Sequence, residues 1–363
     1  MDLIKAEIDI SALRHNFRLA RKLAGGKTLV CAVIKDNAYG HGLLPVAAVM
    51  ADEGADFLAI ADLSDAEKLR KAGFKLPLLN ISGLLPSQAS GAVSLNVSQS
   101  VSNADELLAL DRAAGKQKKC ALVHVEVDCG MGRLGVPAAE FSALFEKAKS
   151  LKNIFVEGIF THFPSADTDL PVTRKQAGLF KETVRQCPAN IIYHSANSAA
   201  LINCPETRMD MVRPGLMLYG LYPSGTEKKI RLKPALSLNT SVIMVKKARK
   251  GDRVSYNGTY RAKKDTELAA LPIGYGDGFS RLLSNAGEVI IKGKRYPVAG
   301  RVCMDLTMLD IGKNSGIKPG DEATLIGKNG GENITASEIA LKCKTIPYEV
   351  VCGINKGIKR IYF

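Results

Sequence analysis

The stretch 28-TLVCAVIKDNAYGHGLLPVAAVMADEGADFLAIADLSDAEKLRKAG-73 sets the pattern for the first two thirds of the chain. TLVCAVIK (28–35) is an apolar run that reads as a buried strand, and LLPVAAVMADEGA follows with the spacing of a helix. FLAIA (57–61) is a second strand, and SDAEKLRKAG is a helix that stops at Gly73. The alternation continues. LPLLNIS (76–82), NVSQS (96–100), ALVHVEVD (121–128), FVEGIFTHF (155–163), NIIYHSANS (190–198) and DMVRPGLMLYG (210–220) read as strands, with helical stretches such as NADELLALDRAAG and AAEFSALFEKAKS between them. Seven or eight β–α steps at this spacing predict a parallel (β/α)8 barrel. A doubly wound open sheet is the alternative, but no GxGxxG follows the first strand.

Beyond about residue 235 the pattern changes to short β-rich segments divided by Gly, Asn, Asp and Lys, among them SLNTSVIMVKKARKGDRVSYNGTY, EVIIKGKRYPVAG and RVCMDLTMLDI. This predicts a C-terminal all-β domain with antiparallel pairing, and a division into residues 1–235 and 236–363.

Composition is that of a soluble globular protein, 46% hydrophobic and 24% charged. The N-terminus carries no signal-peptide pattern, and no apolar run approaches the ~18 residues of a membrane span, so a cytoplasmic location is expected. Eight cysteines without a CxxC pair argue against structural zinc and a disulfide framework. The net charge of +14 raises nucleic acid as a partner. The basic clusters KKIRLK, KKARKGDR and RAKK match no nucleic-acid motif, however, and read as a solvated lysine-rich face with a mild attraction for anions.

The unusual polar residues fall at strand ends. Lys35 ends the first strand, His162 closes FVEGIFTHF, and His194, Asn197 and Ser198 lie in HSANSAA. Arg213 ends DMVR before Pro214 and Gly215, and Arg133 sits just beyond HVEVD in CGMGRLG. In a barrel these positions meet at the C-terminal mouth. Taken singly, each has a plain alternative: a solvated lysine, a hydrogen-bonded core histidine, a turn glycine. Together, donors at strand-to-helix turns suit a phosphate, and a strand-end amine suits covalent chemistry with a carbonyl. Pyridoxal phosphate asks for both. A metal site from His162, His194 and an Asp is the rival, but it lacks HxH or HExxH spacing and ranks lower.

AVIKDNAYGHG, DCGMGRLG, THF, HSANSAA, MVRPGLMLYGLYPS, VSYNGTY, PIGYGDGFSR, GRVCMDLTMLD and PYEVVCGI, in this order and over nearly the whole chain, resemble the alanine racemase family. The resemblance implies pyridoxal 5'-phosphate as cofactor and Lys35 as its covalent anchor and one acid/base. Tyr256 of a partner subunit is the opposite base. Racemisation needs two such groups because a proton leaves one face of Cα and returns on the other. A phenol is an indifferent base at neutral pH, so the tyrosine needs a neighbour, and His162 and Arg213 are the catalytic support. Arg213 matches the contact to the pyridine nitrogen; a guanidinium only donates, so that nitrogen must accept.

The resemblance also assigns Tyr39, Ser198, Gly215 and Tyr348 to the phosphate, Asn197 and His194 to the same pocket, and Arg133 to the cofactor's 3′ oxygen. Met304 matches a backbone contact to the substrate carboxylate, Asp305 an aspartate that supports the site, and Tyr275, Arg281 and Arg301 the substrate entrance. Tyr256, Tyr275 and Tyr348 should crowd the pocket and favour a side chain as small as that of alanine, with serine as an alternative substrate. A homodimer with shared active sites and supply of D-alanine for bacterial cell wall are implied. A fold-sharing amino-acid decarboxylase is a rival that VSYNGTY and CMD disfavour.

Three positions depart from the family's usual pattern. Glu126 stands where a carbamylated lysine is common, and is expected to supply the anion that orients Arg133. Asp36 and Cys129 replace the usual Ala and Thr, with small effects expected.

Overall fold

The computed structural model describes residues 3–223, 226 and 230–363. Ser224 of MVRPGLMLYGLYPS and Lys228 and Lys229 of the basic cluster therefore lie outside the described residues. The chain forms two compact units. One comprises Ala12–Ala38 and Leu43–Lys233, the other the chain up to Ser11, Tyr39–Gly42 and Pro234–Phe363.

The first unit is the expected barrel. Its parallel strands run in the spatial order Val97–Val101, Leu78–Asn80, Phe57–Ile60, Leu29–Val33, Met211–Arg213, Ile192–Asn197, Ile154–Phe160 and Ala121–Asp128. Pairing of Gln99 with Val123 and of Val101 with Val125 closes the ring. Strands such as Phe57–Ile60 and Leu29–Val33 are buried or nearly so throughout, as parallel strands covered by helices must be, which explains their continuous apolar runs, whereas Val97–Val101 buries Ser98, Gln99 and Ser100 as well. Helix starts follow capping chemistry. Asn103 caps Ala104–Lys116 by accepting from Glu106 N, with Asp105 and Glu106 in the first turn and Lys116 in the last, all favourable to the helix dipole. Asp62 caps Leu63–Lys71 in the same way.

Helix Ile10–Ala24 buries Leu13, Phe17, Ala20 and Ala24 on one stripe. Asn16 interrupts that stripe and is fully buried. Its amide donates to Leu218 O (3.1 Å) and Lys233 O (2.8 Å) and accepts from Lys233 N (2.9 Å), so no polar atom is stranded.

The second unit is mostly strand. Its larger sheet runs Lys294–Pro297, Glu288–Ile291, Glu322–Asn329, Leu236–Ser241, Lys5–Ile8 and Lys359–Tyr362, with Glu332–Ile334 paired to Glu322–Asn329. A second sheet joins Met244–Ala248, Thr266–Leu271 and Thr307–Gly312. Two features differ from the sequence reading. Strand Lys5–Ile8 and the turn 39–42 group with this unit, so residues 1–235 are not all barrel. The unit is also not all-β: helices Ala336–Cys343 and Pro347–Cys352 lie within it. Thr335 caps the first by accepting from Glu338 N, and Pro347 opens the second, where its missing N–H is harmless.

Tyr219 is the largest fully buried side chain of the barrel unit, and its hydroxyl donates to Val33 O at 2.9 Å. Tyr219→Phe removes that donor and leaves a buried carbonyl short of a partner. Chemical denaturation should report a loss of about 1–2 kcal/mol.

Candidate active site

The strand ends bring the polar residues together as the barrel geometry requires. Lys35 follows strand Leu29–Val33, Asn197 ends Ile192–Asn197, Arg213 ends Met211–Arg213, and His162 lies just past Ile154–Phe160. Arg213 is 4% exposed and fully engaged on one side. Its Nη1 donates to His194 Nδ1 at 2.7 Å and its Nη2 to Thr161 O at 2.8 Å, with Ser195 O at 3.4 Å and His162 Nδ1 at 3.5 Å. The guanidinium also sits over the Phe160 ring, 5.0 Å from its centroid. Its Nε makes no hydrogen bond among the described residues. Burial pushes this group down to about 10, against the opposing pull of Cys31 and Glu126, so it stays a cation at neutral pH.

Lys35 is half-buried and its amine makes no hydrogen bond or ion pair among the described residues. His162 is pushed down to about 3, first by burial and then by the charges of Arg213, Arg133 and Lys35. Three cations thus bear on one neutral imidazole. Such a surrounding of positive side chains favours a negative charge nearby. Asn197 caps helix Ser198–Asn203 by accepting from Ala200 N, and donates to Phe163 O at 3.2 Å. Ser198 Oγ accepts from Gly215 N at 2.9 Å, which joins the two expected phosphate-turn segments to each other.

Arg133 is exposed, on a loop organised by Asp128, whose carboxylate accepts from the amides of Gly130 and Met131 at 2.8 Å each, and from Gly132 N. Asp128 is not among the residues expected from the sequence, although an aspartate followed by a glycine-rich loop is the pattern of such a turn. The expected anchoring of Arg133 by Glu126 is not found. No ion pair joins them among the described residues; Glu126 is 3% exposed, its Oε2 accepts from Ser100 Oγ at 3.3 Å, and burial raises its carboxyl above the ordinary range. The charges of Arg213 and Arg133 both act on Glu126 to favour its anion, but burial outweighs them.

After Lys35 the backbone does something the residues did not announce. Asp36, Asn37, Ala38 and Tyr39 all have φ between 52 and 55°, one left-handed turn made without a single glycine. Each such residue costs on the order of 1–2 kcal/mol, and strain of this kind concentrates at functional sites. Gly40 follows at φ 79°, where a Cβ would meet Val351 O at 2.2 Å, so only glycine fits. Within this second unit the Tyr39 and Tyr348 rings lie 6.0 Å apart.

Tyr256 stands on a strained turn too, between Ser255 (φ 64°) and Asn257 (φ 61°), and is 69% exposed. Ser255, Tyr256, Asn257, Cys303, Met304, Asp305 and Leu306 line an open cavity of about 590 Å³. Met304 (55%) and Tyr275 (43%) are exposed like Tyr256, and Tyr275 N donates to Cys303 O at 3.0 Å. Asp305 and Arg281 are exposed, and Arg301 keeps a buried Nε without a partner among the described residues.

The family model described as alanine racemase, N-terminal domain, matches residues 8–223, and that described as alanine racemase, C-terminal domain, matches 235–362. The chain belongs to the alanine racemase family. It is 40% identical to alanine racemase of Halothermothrix orenii, over 98% of this chain and 96% of that one. The solved alanine racemase of Clostridium difficile 630 superposes with a TM-score of 0.94 at 35% identity, covering 100% of this chain and 96% of the other. The alanine racemase of Bacillus anthracis, solved with bound L-Ala-P, gives a TM-score of 0.94 at 33% identity over 100% and 95%. The resemblance carried by the motifs and the barrel-plus-strand architecture agree with these relatives, and the chain is an isomerase of this family. No helix of the described residues is long and apolar enough to cross a membrane, and no group of His, Cys, Asp and Glu among them could hold a metal ion.

The state of His162 has a consequence for stability. Its folded value of about 3 lies below the ordinary 6.5, so the unfolded chain takes up that proton first. Its contribution is fully present above about pH 6.5 and is lost as pH falls toward about 3. Urea midpoints measured across this window should fall less steeply for His162→Gln than for the wild type.

Proposed function

We propose that the chain interconverts L- and D-alanine with pyridoxal 5'-phosphate held at the barrel mouth, and with Lys35 and the Tyr256 of a second copy as the two acid/base groups. The observation that carries this reading is the amine of Lys35, unbonded at a strand end beside a neutral His162 and the cations Arg133 and Arg213. That donor set fits the cofactor: an amine for its carbonyl, cations for its anionic oxygens, and in Arg213 Nε a donor still open for its ring nitrogen. Lys35, Arg213, Arg133, His162, His194, Asn197, Ser198 and Gly215 would hold it from the barrel; the family resemblance assigns Tyr39 and Tyr348 to its phosphate. When bound, the cofactor joins the amino group of the substrate and withdraws electron density from its Cα–H bond.

The chain's own residues do the rest. Lys35 Nζ takes or returns the proton on one face of Cα, and Tyr256 Oη does so on the other. Arg213 offers only donors, so it never gives a proton-accepting partner to the ring; this keeps electron withdrawal moderate and restrains side reactions. His194 and Thr161 O fix the guanidinium plane in advance. The Met304 backbone amide would receive the substrate carboxylate and Asp305 would support the site, while Tyr256, Tyr275 and Tyr348 limit side-chain size. The exposure of Tyr256, Met304 and Leu306 supports a homodimer in which a second copy covers this face. The bound L-Ala-P of the Bacillus anthracis relative supports alanine as substrate. A cytoplasmic protein that supplies D-alanine for cell-wall synthesis fits this activity.

The decisive experiment compares wild type, Lys35→Ala and Tyr256→Phe. Wild type should carry a visible absorption band that borohydride bleaches, and should racemise L-alanine faster than L-serine or L-lysine. Lys35→Ala should lose the bleachable band and turnover together. Tyr256→Phe should keep the band and lose about a hundredfold to ten-thousandfold in kcat. A wild-type protein unable to racemise alanine overturns the reading.

A further inference from the structure

Behind Arg213 a file of polar side chains crosses the barrel interior. His194 Nδ1 receives Arg213 Nη1 at 2.7 Å, and His194 Nε2 lies 2.8 Å from His124 Nδ1. His124 Nε2 lies 3.0 Å from Glu157 Oε2, which also accepts from Ser98 Oγ at 2.5 Å. Both imidazoles are fully buried. Phe160 stacks on His194 at 4.8 Å, and Phe57 meets His124 edge-on at 6.2 Å. Glu157 is the middle residue of strand Ile154–Phe160 and Arg213 the last of Met211–Arg213, so the file runs from the strand ends back into the barrel. At the Glu157 end it reaches an open cavity of about 470 Å³ lined by Arg70, Lys75, Asn96 and Leu122 among others.

The direction of this file is not free. A guanidinium can only donate, so His194 Nδ1 must accept and its proton sits on Nε2. That proton points at His124 Nδ1, which must also accept, and the His124 proton on Nε2 then points at Glu157. A carboxylate only accepts, so the far end selects the same orientation independently. Glu157 is held in that state: burial acts to raise its carboxyl, but the bonds from His124 and Ser98 outweigh it and leave the group below the ordinary range. The reverse orientation would put a His194 N–H against Arg213 Nη1, two buried donors facing each other.

The backbone is shaped for this arrangement. Gly158 pairs in register with His124, and a Cβ there would lie 2.2 Å from His124 Nδ1. Only glycine leaves room for the ring. The file is therefore built into the barrel rather than left over from packing.

We propose that Glu157 and His124 are positioning residues for Arg213, holding His194 in its Nε2–H form so that the guanidinium always meets an acceptor and keeps one orientation at the mouth. The effect on turnover rests on the racemase reading above; the protonation pattern does not. Five histidines make a selectively ¹⁵N-labelled spectrum of the holoenzyme tractable. His124 and His194 should both appear neutral with the proton on Nε2. Glu157→Gln keeps the shape but can donate or accept, so it removes both the charge and the fixed direction. In that variant the His124 and His194 signals should shift or divide while His15 and His41 stay unchanged. Its kcat for alanine should fall on the order of tenfold, the usual margin of a charge-assisted over a neutral hydrogen bond, with KM and unfolding temperature unaltered. Gly158→Ala, which displaces the His124 ring without touching Glu157, should reproduce both changes.

An imidazolium or an Nδ1–H form at either histidine in the wild type overturns the proposal. So does a Glu157→Gln enzyme with wild-type kcat, whether or not it unfolds earlier. A wild-type protein without racemase activity would sink the functional reading instead, and the histidine spectra would still decide the relay.

Discussion

A guanidinium buried inside a barrel is the constraint around which the rest of the first unit is arranged. Removing such a charge from water costs several kcal/mol unless acceptors replace the lost hydration. Arg213 receives them from His194, Thr161 O and Ser195 O, and from the face of Phe160. Each of these dictates something further. His194 must be neutral, His124 must lie behind it, Gly158 must lack a side chain, and the carbonyls of Thr161 and Ser195 must turn toward the guanidinium. An apolar interior of the kind most barrels carry could not surround this residue. The polar file through the barrel is the price of a cation held still.

Strain marks the other two elements of the site. The turn after Lys35 puts four residues in a left-handed conformation, and Tyr256 is flanked by two more. Neither turn would persist alone; each is over-determined by its surroundings, as the tight seat of Gly40 against Val351 O illustrates. Both hold a side chain of the proposed acid/base pair next to a segment with little freedom to move, which favours fixed geometry over adaptability.

Much of this was legible in the residues. The strand at 121–128 and the strand-end positions of Lys35, Asn197 and Arg213 follow from periodicity and from the rule that barrels carry their sites at strand C-termini. The cause of the misses is consistent. Strand Lys5–Ile8 has four residues and pairs across more than three hundred positions, so no local pattern could assign it to the second unit. Helices Ala336–Cys343 and Pro347–Cys352 were hidden by their β-rich surroundings, although Thr335 and Pro347 are ordinary start signals. The left-handed turn had no glycine to betray it. His124 and Glu157 looked like strand residues because their importance comes from neighbours on other strands. The charge of Glu126 is plain in the sequence, but its burial against Ser100 is not.

Strand Lys5–Ile8 lies between Leu236–Ser241 and Lys359–Tyr362 in one sheet. The barrel is thus an insertion threaded between a strand and both of its neighbours. During synthesis Lys5–Ile8 emerges before the barrel and then waits, unpaired, until the residues that flank it are made. An edge left open that long is a liability, and closing so large a loop is slow compared with local barrel contacts. Assembly order is therefore written into the topology: the barrel can condense early from neighbouring β–α steps, whereas the sheet that carries Tyr256's unit is sealed only after both flanking strands exist.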